Sequence, residues 1–245
     1  MNLKQLVFNK LLPEIYKFYL SINTKQYPLI INETDKALVI APHADDESLG
    51  VGGTLAKYPK NFDVICLTDG AKGLKSLPYD EAKKVREDEF LNAMKIAGVN
   101  SAKVLGIPDR DVIAGYDKLE TLDISGYDYI FIPNLIDTHK DHKSVAILVK
   151  KLLKNKPHKD TIQIVFYEVW STLALPNRFI DISETAEIKA KMLEAHKSQM
   201  ALRNYLPASM GLSEYRALMP NVRNAEAFLA LDEKTFVNLV KKIYI

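Results

Sequence analysis

The 245-residue chain has 33 Lys+Arg against 31 Asp+Glu, a net charge of +2, with 47% hydrophobic and 26% charged residues. That length can bury a full core in one large α/β domain or two small ones, and the composition is ordinary for a soluble globular protein. The near-balance of charge argues against a nucleic-acid partner, which needs a basic excess gathered on one face. A single cysteine, Cys66, cannot form an internal disulfide, so the chain is expected in a reducing, cytoplasmic setting. Cys66 lies inside the apolar "FDVICL", the setting of a buried structural thiol rather than a nucleophile.

In chain order, the first segment, "MNLKQLVFNKLLPEIYKFYL", has Lys4, Lys10, Glu14 and Lys17 spread through it, which leaves no secretory signal and no uncharged spanning run. Leu3, Val7, Leu11, Ile15 and Phe18 recur at helical spacing, so a helix is expected over about residues 1–27. Such a stripe normally faces a core. The alternative is a helix lying on a membrane surface, because lysines flank its apolar face.

An alternating pattern follows. "KALVIAP" (36–42) reads as a strand, "SLGVGGTLAKY" (48–58) as a helix and "FDVICLTDG" (62–70) as a strand. "DEAKKVREDEFLNAMKIAG" (80–98) is a periodic helix closed by Gly98, and "AKVLGI" (102–107) is the next strand. "YDYIFIPN" (127–134) and "TIQIVFYEVW" (161–170) read as strands, with "HKSVAILVKKLLK" (142–154) as the helix between them and "ETAEIKAKMLEAHKSQMALR" (184–203) as a helix after them. Strands rich in Val and Ile that alternate with amphipathic helices predict an α/β fold with a mostly parallel sheet and helices on both faces. No repeat, low-complexity tract or Pro/Gly-rich linker divides the chain, so residues 1–245 are expected to form one domain. Periodicity weakens after about residue 203.

Four polar clusters follow predicted strands: "HADDE", "TDGAKG", "PDRD" and "NLIDTHKDH". In open parallel sheets ligands bind beyond the carboxyl ends of the strands, so all four converge on one edge. Within them His43 and Asp46 lie three apart, and so do His139 and His142. Two imidazoles and a carboxylate suit a catalytic zinc with positions left for water and substrate; another divalent transition metal is the alternative. Taken alone, Asp45 and Asp46 would be an acidic turn capping the next helix, and Glu47 and Ser48 fit that role. "GVGGTL" is not a dinucleotide fingerprint, because its sixth residue is Leu55; the small residues let the helix pack close to the sheet. His158, in a basic loop, is read as solvent-exposed.

"PHADDE" resembles the "PHPDDE" signature of the PIG-L/LmbE-type N-acetylglucosaminyl de-N-acetylases, and "HKDH" resembles their "HPDH". "LTDGAKG", "VREDEFLNAMKIAGV" and "AHKSQM" are similar to further family segments in the same order, from about Lys36 to Gln199, and "NAEAF" (224–228) to one more. Ala44 and Lys140 stand where the family has prolines; neither position supplies a functional side chain, though each bears on loop rigidity.

The resemblance implies a Rossmann-like fold and removal of acetyl groups from GlcNAc-containing conjugates. Carried over residue by residue, it makes His43, Asp46 and His142 the zinc ligands and Asp45 the general base. His139 then stabilises the tetrahedral intermediate, as a protonated imidazole opposite the metal, and Asp141 orients an imidazole from behind. Arg86 falls on the inward stripe of its helix with Glu89, which leaves an internal ion bridge or a reach into the cleft; the family's matching arginine touches substrate, and that favours the cleft. Asp109 resembles a position that bonds sugar hydroxyls. His196 is either a hydrogen-bonded core histidine or part of the cleft wall. The chemistry is consistent, since bound zinc lowers the pKa of its water to about 7 and a carboxylate beside it can move the proton.

The expected partner is a small-molecule or lipid-linked amino-sugar substrate, with peripheral membrane contact only if the N-terminal helix lies on a membrane. Two rival readings stand beside it. One is a zinc amidase acting on a thiol-sugar or other small amide; the other is a magnesium-binding receiver-like signalling domain, which leaves "HKDH" unexplained.

Overall fold

The computed structural model describes residues 26–244. The helix expected over about 1–27 lies outside that range except for its last two residues, and Tyr27 opens a short strand instead. Eight strands form one sheet: β1 (Tyr27–Pro28), β2 (Ala37–Ala41), β3 (Phe62–Thr68), β4 (Ser101–Ile107), β5 (Tyr129–Pro133), β6 (Gln163–Tyr167), β7 (Arg178–Asp181) and β8 (Ala225–Asp232), in the order β1-β7-β8-β6-β5-β2-β3-β4. All pairings are parallel except those of β8, which runs antiparallel to both β6 and β7.

Among the described residues, seven helices of six residues or more accompany the strands: α1 (Asp46–Lys57), α2 (Tyr79–Ala97), α3 (Lys140–Asn155), α4 (Ala186–Ala195), α5 (Lys197–Leu202), α6 (Leu206–Ala217) and α7 (Glu233–Ile243). The central strand "ALVIA" is buried along its whole length because helices cover both faces of the sheet. Its alternate residues serve two cores. Leu38 and Ile40 belong to one, with Val145, Leu148 and Val149 of α3 and Phe236 of α7. Ala37 and Val39 belong to the other, with Val51 and Leu55 of α1 and Phe90 of α2.

Gly50 lets α1 lie close against the sheet, since a Cβ there would come within 2.2 Å of the Tyr167 ring and 2.9 Å of the Glu168 carbonyl oxygen. At the end of α2 the Gly98 N–H donates to the carbonyls of Met94 and Lys95, closing the helix where the sequence placed its end.

From β2 the chain moves outward to β3 and β4, then returns to lay β5 on the other side of β2. That reversal opens a crevice beyond the carboxyl ends of β2 and β5, the location at which such sheets bind ligands.

One expectation is corrected. The helix expected over 184–203 is broken at His196, whose backbone (φ −80, ψ 55) leaves the helical region as its ring turns inward. The weakly periodic last third contains β8, buried at every position except Asp232; a strand covered on both faces has no alternation to read. Among the described residues no helix is long and apolar enough to cross a membrane.

Candidate metal centre and catalytic cleft

The loop after β2 delivers three acids in a row because its backbone turns sharply at Asp45, where φ is 128 and ψ −24. Asp45 is therefore aimed differently from Asp46, the first residue of α1. Asp46 Oδ2 accepts the His43 N–H at 2.9 Å, lies 3.3 Å from His43 Nδ1 and lies 3.2 Å from His142 Nε2. Ligand atoms on a tetrahedral zinc with bonds of 2.0–2.1 Å stand about 3.3 Å apart, so both contacts have the length of a tetrahedron's edge. Asp46 Oδ1 and both ring nitrogens of His142 are buried and make no hydrogen bond within the protein, a donor-rich pocket that suits a cation. His43, His139 and His142 also present one nitrogen each within 4.8 Å of the others. That triad is looser than the contacts to Asp46, and the shorter set is the better fit to zinc.

Carboxylates back both imidazoles. His43 Nε2 lies 3.0 Å from Asp141 Oδ2, which also accepts the Arg110 N–H at 2.8 Å. His142 Nδ1 lies 3.1 Å from Asp137 Oδ2. Asp137 is a residue that sequence reasoning passed over, although it sits inside the quoted "NLIDTHKDH". Its Oδ1 accepts the His139 N–H at 2.9 Å and its Oδ2 accepts the Trp170 N–H at 3.3 Å.

This arrangement draws positive charge. Burial acts to lower the His43 pKa, but Asp141 and Asp46 outweigh it and push the imidazole up to about 10. Burial likewise opposes charging of His142, and Asp46 with Asp137 raises it to about 9. Asp46 itself is held well below the carboxylate range, burial being overcome by His142 and His43. A divalent cation supplies the same positive charge and leaves both imidazoles neutral, the form in which they ligate.

Burial and the neighbouring His43 and His142 hold the His139 pKa below the ordinary value, which disfavours the protonated form. Its Nδ1 accepts the Asp141 N–H at 3.2 Å, so the neutral ring carries its proton on Nε2.

Asp45 is buried, and desolvation raises its pKa to about 6 even though Arg86 opposes the shift. Arg86, 3% exposed, lines the cavity and also forms an internal ion bridge. Its guanidinium lies 3.4 Å from Asp45 and 3.3 Å from Glu89 and donates to the Ala44 carbonyl. Glu89 in turn accepts the Ser198 N–H at 2.6 Å and its hydroxyl at 2.7 Å, tying α5 to α2.

These groups surround a cavity of about 280 Å³. His43, Asp45 and Asp46 line it, as do Asp109 and Lys72. Asp109 Oδ2 accepts the Lys72 N–H at 2.9 Å, while its buried Oδ1 is without a partner in the protein. Arg110, Trp170 and Tyr205, none of them singled out in the sequence, also line it. Burial first, then the charge of Asp45, raises the pKa of the Tyr205 phenol.

The structure brings seven of the eight expected site residues to this cavity or its ligand cluster and places Asp141 directly behind His43. Glu47 and Ser48 do more than cap a helix. Both are buried; Ser48 donates to Glu47 at 2.7 Å and stands 3.1 Å from His196 Nε2, while Glu47 Oε2 accepts the Asp45 N–H at 3.1 Å. His196 is thus a buried hydrogen-bonded histidine behind the loop, and Gln199 is the member of its motif that reaches the cavity. His158 is half-buried rather than solvent-exposed, because Glu233 lies 3.2 Å from its Nε2 and the Lys156 carbonyl 2.8 Å from its Nδ1.

Residues 38–153, from β2 through most of α3, match the family described as PIG-L: GlcNAc-PI de-N-acetylase. Over those residues the chain is similar to the PIG-L family. The match contains both clusters that meet at Asp46 Oδ2, and individual relatives extend it. The chain is 27% identical over 194 residues to a probable N-acetyl-alpha-D-glucosaminyl L-malate deacetylase 2 of Bacillus subtilis (strain 168), covering 67% of this chain and 83% of that protein. It is 28% identical over 196 residues to the diacetylchitobiose deacetylase of Thermococcus kodakarensis, covering 69% of this chain and 71% of that protein. The solved N,N'-diacetylchitobiose deacetylase of Pyrococcus horikoshii aligns with a TM-score of 0.68 and 22% identity over 96% of each chain, a likeness of fold.

Proposed function

We propose that the protein is a zinc-dependent hydrolase that removes the N-acetyl group from a GlcNAc-containing conjugate. The observation that carries this reading is Asp46 Oδ2 standing 3.2–3.3 Å from two imidazole nitrogens with a second, differently aimed carboxylate beside it. The match of residues 38–153 to the PIG-L family and relatives named as deacetylases support hydrolysis of an amide on an amino sugar. The magnesium-binding receiver-like alternative finds no support where two imidazoles flank the carboxylate. The same reading takes the chain as a single catalytic domain.

His43, Asp46 and His142 would hold the metal. Zinc bound there supplies a Lewis acid and a water ionising near pH 7. Asp45, buried and raised towards neutrality, accepts the proton of the attacking water and returns it to the leaving sugar amine. Arg86 keeps that carboxylate in place through the 3.4 Å contact and the Ala44 carbonyl. His139, as a neutral imidazole with its proton on Nε2, donates to the oxygen of the tetrahedral intermediate; no imidazolium is needed. Asp141 holds the His43 ring so that Nδ1 faces Asp46. Asp109 Oδ1 accepts a hydroxyl of the sugar.

The test is zinc content together with acetate release from a panel of GlcNAc conjugates, for wild type and Asp45→Ala. Wild type should bind about one zinc per chain and release acetate, and the variant should keep its zinc while losing roughly 100- to 10,000-fold in rate. Zinc bound with no acetate released from any conjugate would overturn the reading.

A further inference from the structure

We infer that the break between α4 and α5, from His196 to Ser198, is a positioning element for Asp45: one chain of hydrogen bonds from it holds the aspartate's backbone, and a second holds its carboxylate. The inference rests on the deacetylase reading, because it takes Asp45 as the base.

The first chain starts at His196, which is 1% exposed. Its Nε2 stands 3.1 Å from Ser48 Oγ and 3.2 Å from Glu47 Oε1. Ser48 donates its own proton to Glu47 Oε1 at 2.7 Å, so the imidazole is the donor from Nε2. With Oε1 held from two sides, Glu47 turns Oε2 to the Asp45 N–H at 3.1 Å. His196 Nδ1 is buried without a partner in the protein, so the ring's polar contacts all end on this loop.

The second chain starts two residues later. The Ser198 N–H and hydroxyl donate to Glu89 at 2.6 and 2.7 Å. Glu89 lies 3.3 Å from Arg86, whose guanidinium lies 3.4 Å from Asp45 Oδ2 and donates to the Ala44 carbonyl. Neither chain passes through His43, Asp46 or His142.

The helix break is what lets the two chains converge. In a continuous helix residues i and i+2 point to nearly opposite sides. At His196 the backbone (φ −80, ψ 55) leaves the helix, and its restart frees the first N–H groups of α5, the Ser198 N–H among them. Both residues therefore act on one loop. Asp45 needs that support: its φ of 128 is a conformation that glycine adopts readily and other residues do not, and its side chain makes no capping bond to α1. Packing alone would be met by an apolar side chain at position 196 and does not account for an imidazole bonded only to the loop.

The experiment is a double-mutant cycle on the zinc-loaded enzyme, with acetate release measured on a panel that includes methyl N-acetylglucosaminide and N,N'-diacetylchitobiose. His196→Ala should lower kcat roughly 10- to 100-fold and Ser198→Ala about three- to ten-fold, with KM and zinc content close to those of wild type. His196→Gln, whose amide donates where Nε2 does, should recover most of the loss. In an Asp45→Ala background neither substitution should change the residual rate by more than about two-fold, because the group they position is gone. Ser198 is only half-buried, so its variant carries the test if His196→Ala does not fold. Equal losses in the wild-type and Asp45→Ala backgrounds, or folded variants with wild-type kcat, would overturn the positioning role and leave the deacetylase reading standing. No acetate from wild type on any member of the panel would overturn both.

Discussion

Substituting Asp137 by Asn keeps the shape of the side chain while exchanging one carboxylate oxygen for an amide NH2. In the native arrangement Oδ1 accepts the His139 N–H at 2.9 Å, and Oδ2 faces His142 Nδ1 at 3.1 Å and the Trp170 N–H at 3.3 Å. An amide can satisfy one side only. With its oxygen towards His139, the NH2 confronts both the imidazole and the Trp170 N–H. His142 escapes the clash by moving its proton from Nδ1 to Nε2, the nitrogen that faces Asp46 at 3.2 Å, and a protonated nitrogen cannot bind metal. With the amide reversed, the NH2 meets the His139 N–H instead. Either way a buried donor is orphaned, at a cost of about 1–3 kcal/mol. Loss of such an outer carboxylate weakens metal binding about 10- to 100-fold, or roughly 1.4–2.8 kcal/mol. The assay is competition for zinc against a chromophoric chelator, with thermal melting of the metal-free protein as the control for folding. A folded Asp137→Asn variant that binds zinc as tightly as wild type would refute the assignment of Asp137 as the group that sets the His142 tautomer.

Two further predictions concern stability. Glu226 is buried and accepts from Gly53 N–H, Thr54 N–H, the Thr54 hydroxyl and the Lys189 ammonium at 2.9, 2.9, 2.6 and 2.7 Å. Glu226→Ala strands a buried cation and should cost about 3–5 kcal/mol in urea denaturation; a loss under about 1 kcal/mol would mean that Lys189 finds another partner or reaches water. Asp63 is held below the usual carboxylate value, since hydrogen bonds from Ser101, Tyr127 and Asn100 outweigh its burial. A group with a depressed folded pKa contributes stability above its unfolded value, about 3.9, and loses it as pH falls through the folded value. The stability gap between wild type and Asp63→Asn should therefore be widest above about pH 5 and narrow below about pH 4. A gap that stayed constant across that range would show that the charge of Asp63 contributes nothing.

The parallel half of the sheet was legible because its strands are continuous Val/Ile runs flanked by periodic helices, as in "ALVIA" and "FDVICLT". β7 and β8 were not. The four-residue β7 is too short to show a pattern, and β8 has seven buried positions in a row. The candidate metal cluster was legible because its residue types are rare and closely spaced at strand ends. Asp137 was hidden for the opposite reason: an aspartate in a polar loop has many ordinary uses, and only the fold reveals the imidazole behind it. Trp170 and Tyr205 lie 35 residues apart in loops with no shared motif, so nothing short of the tertiary structure pairs them. His196 was ambiguous because its position on a helix does not disclose the break that turns the ring towards Ser48.

The backbone at Asp45 has a wider consequence. A φ of 128 belongs to a region that suits glycine and costs other residues about 1–3 kcal/mol. Glycine would relieve that strain, but it would also leave the buried Arg86 guanidinium without the carboxylate 3.4 Å from it, at a cost of about 3–5 kcal/mol. The strained turn and the ion bridge are therefore one device: the bridge holds the loop in a conformation that the backbone alone would not choose.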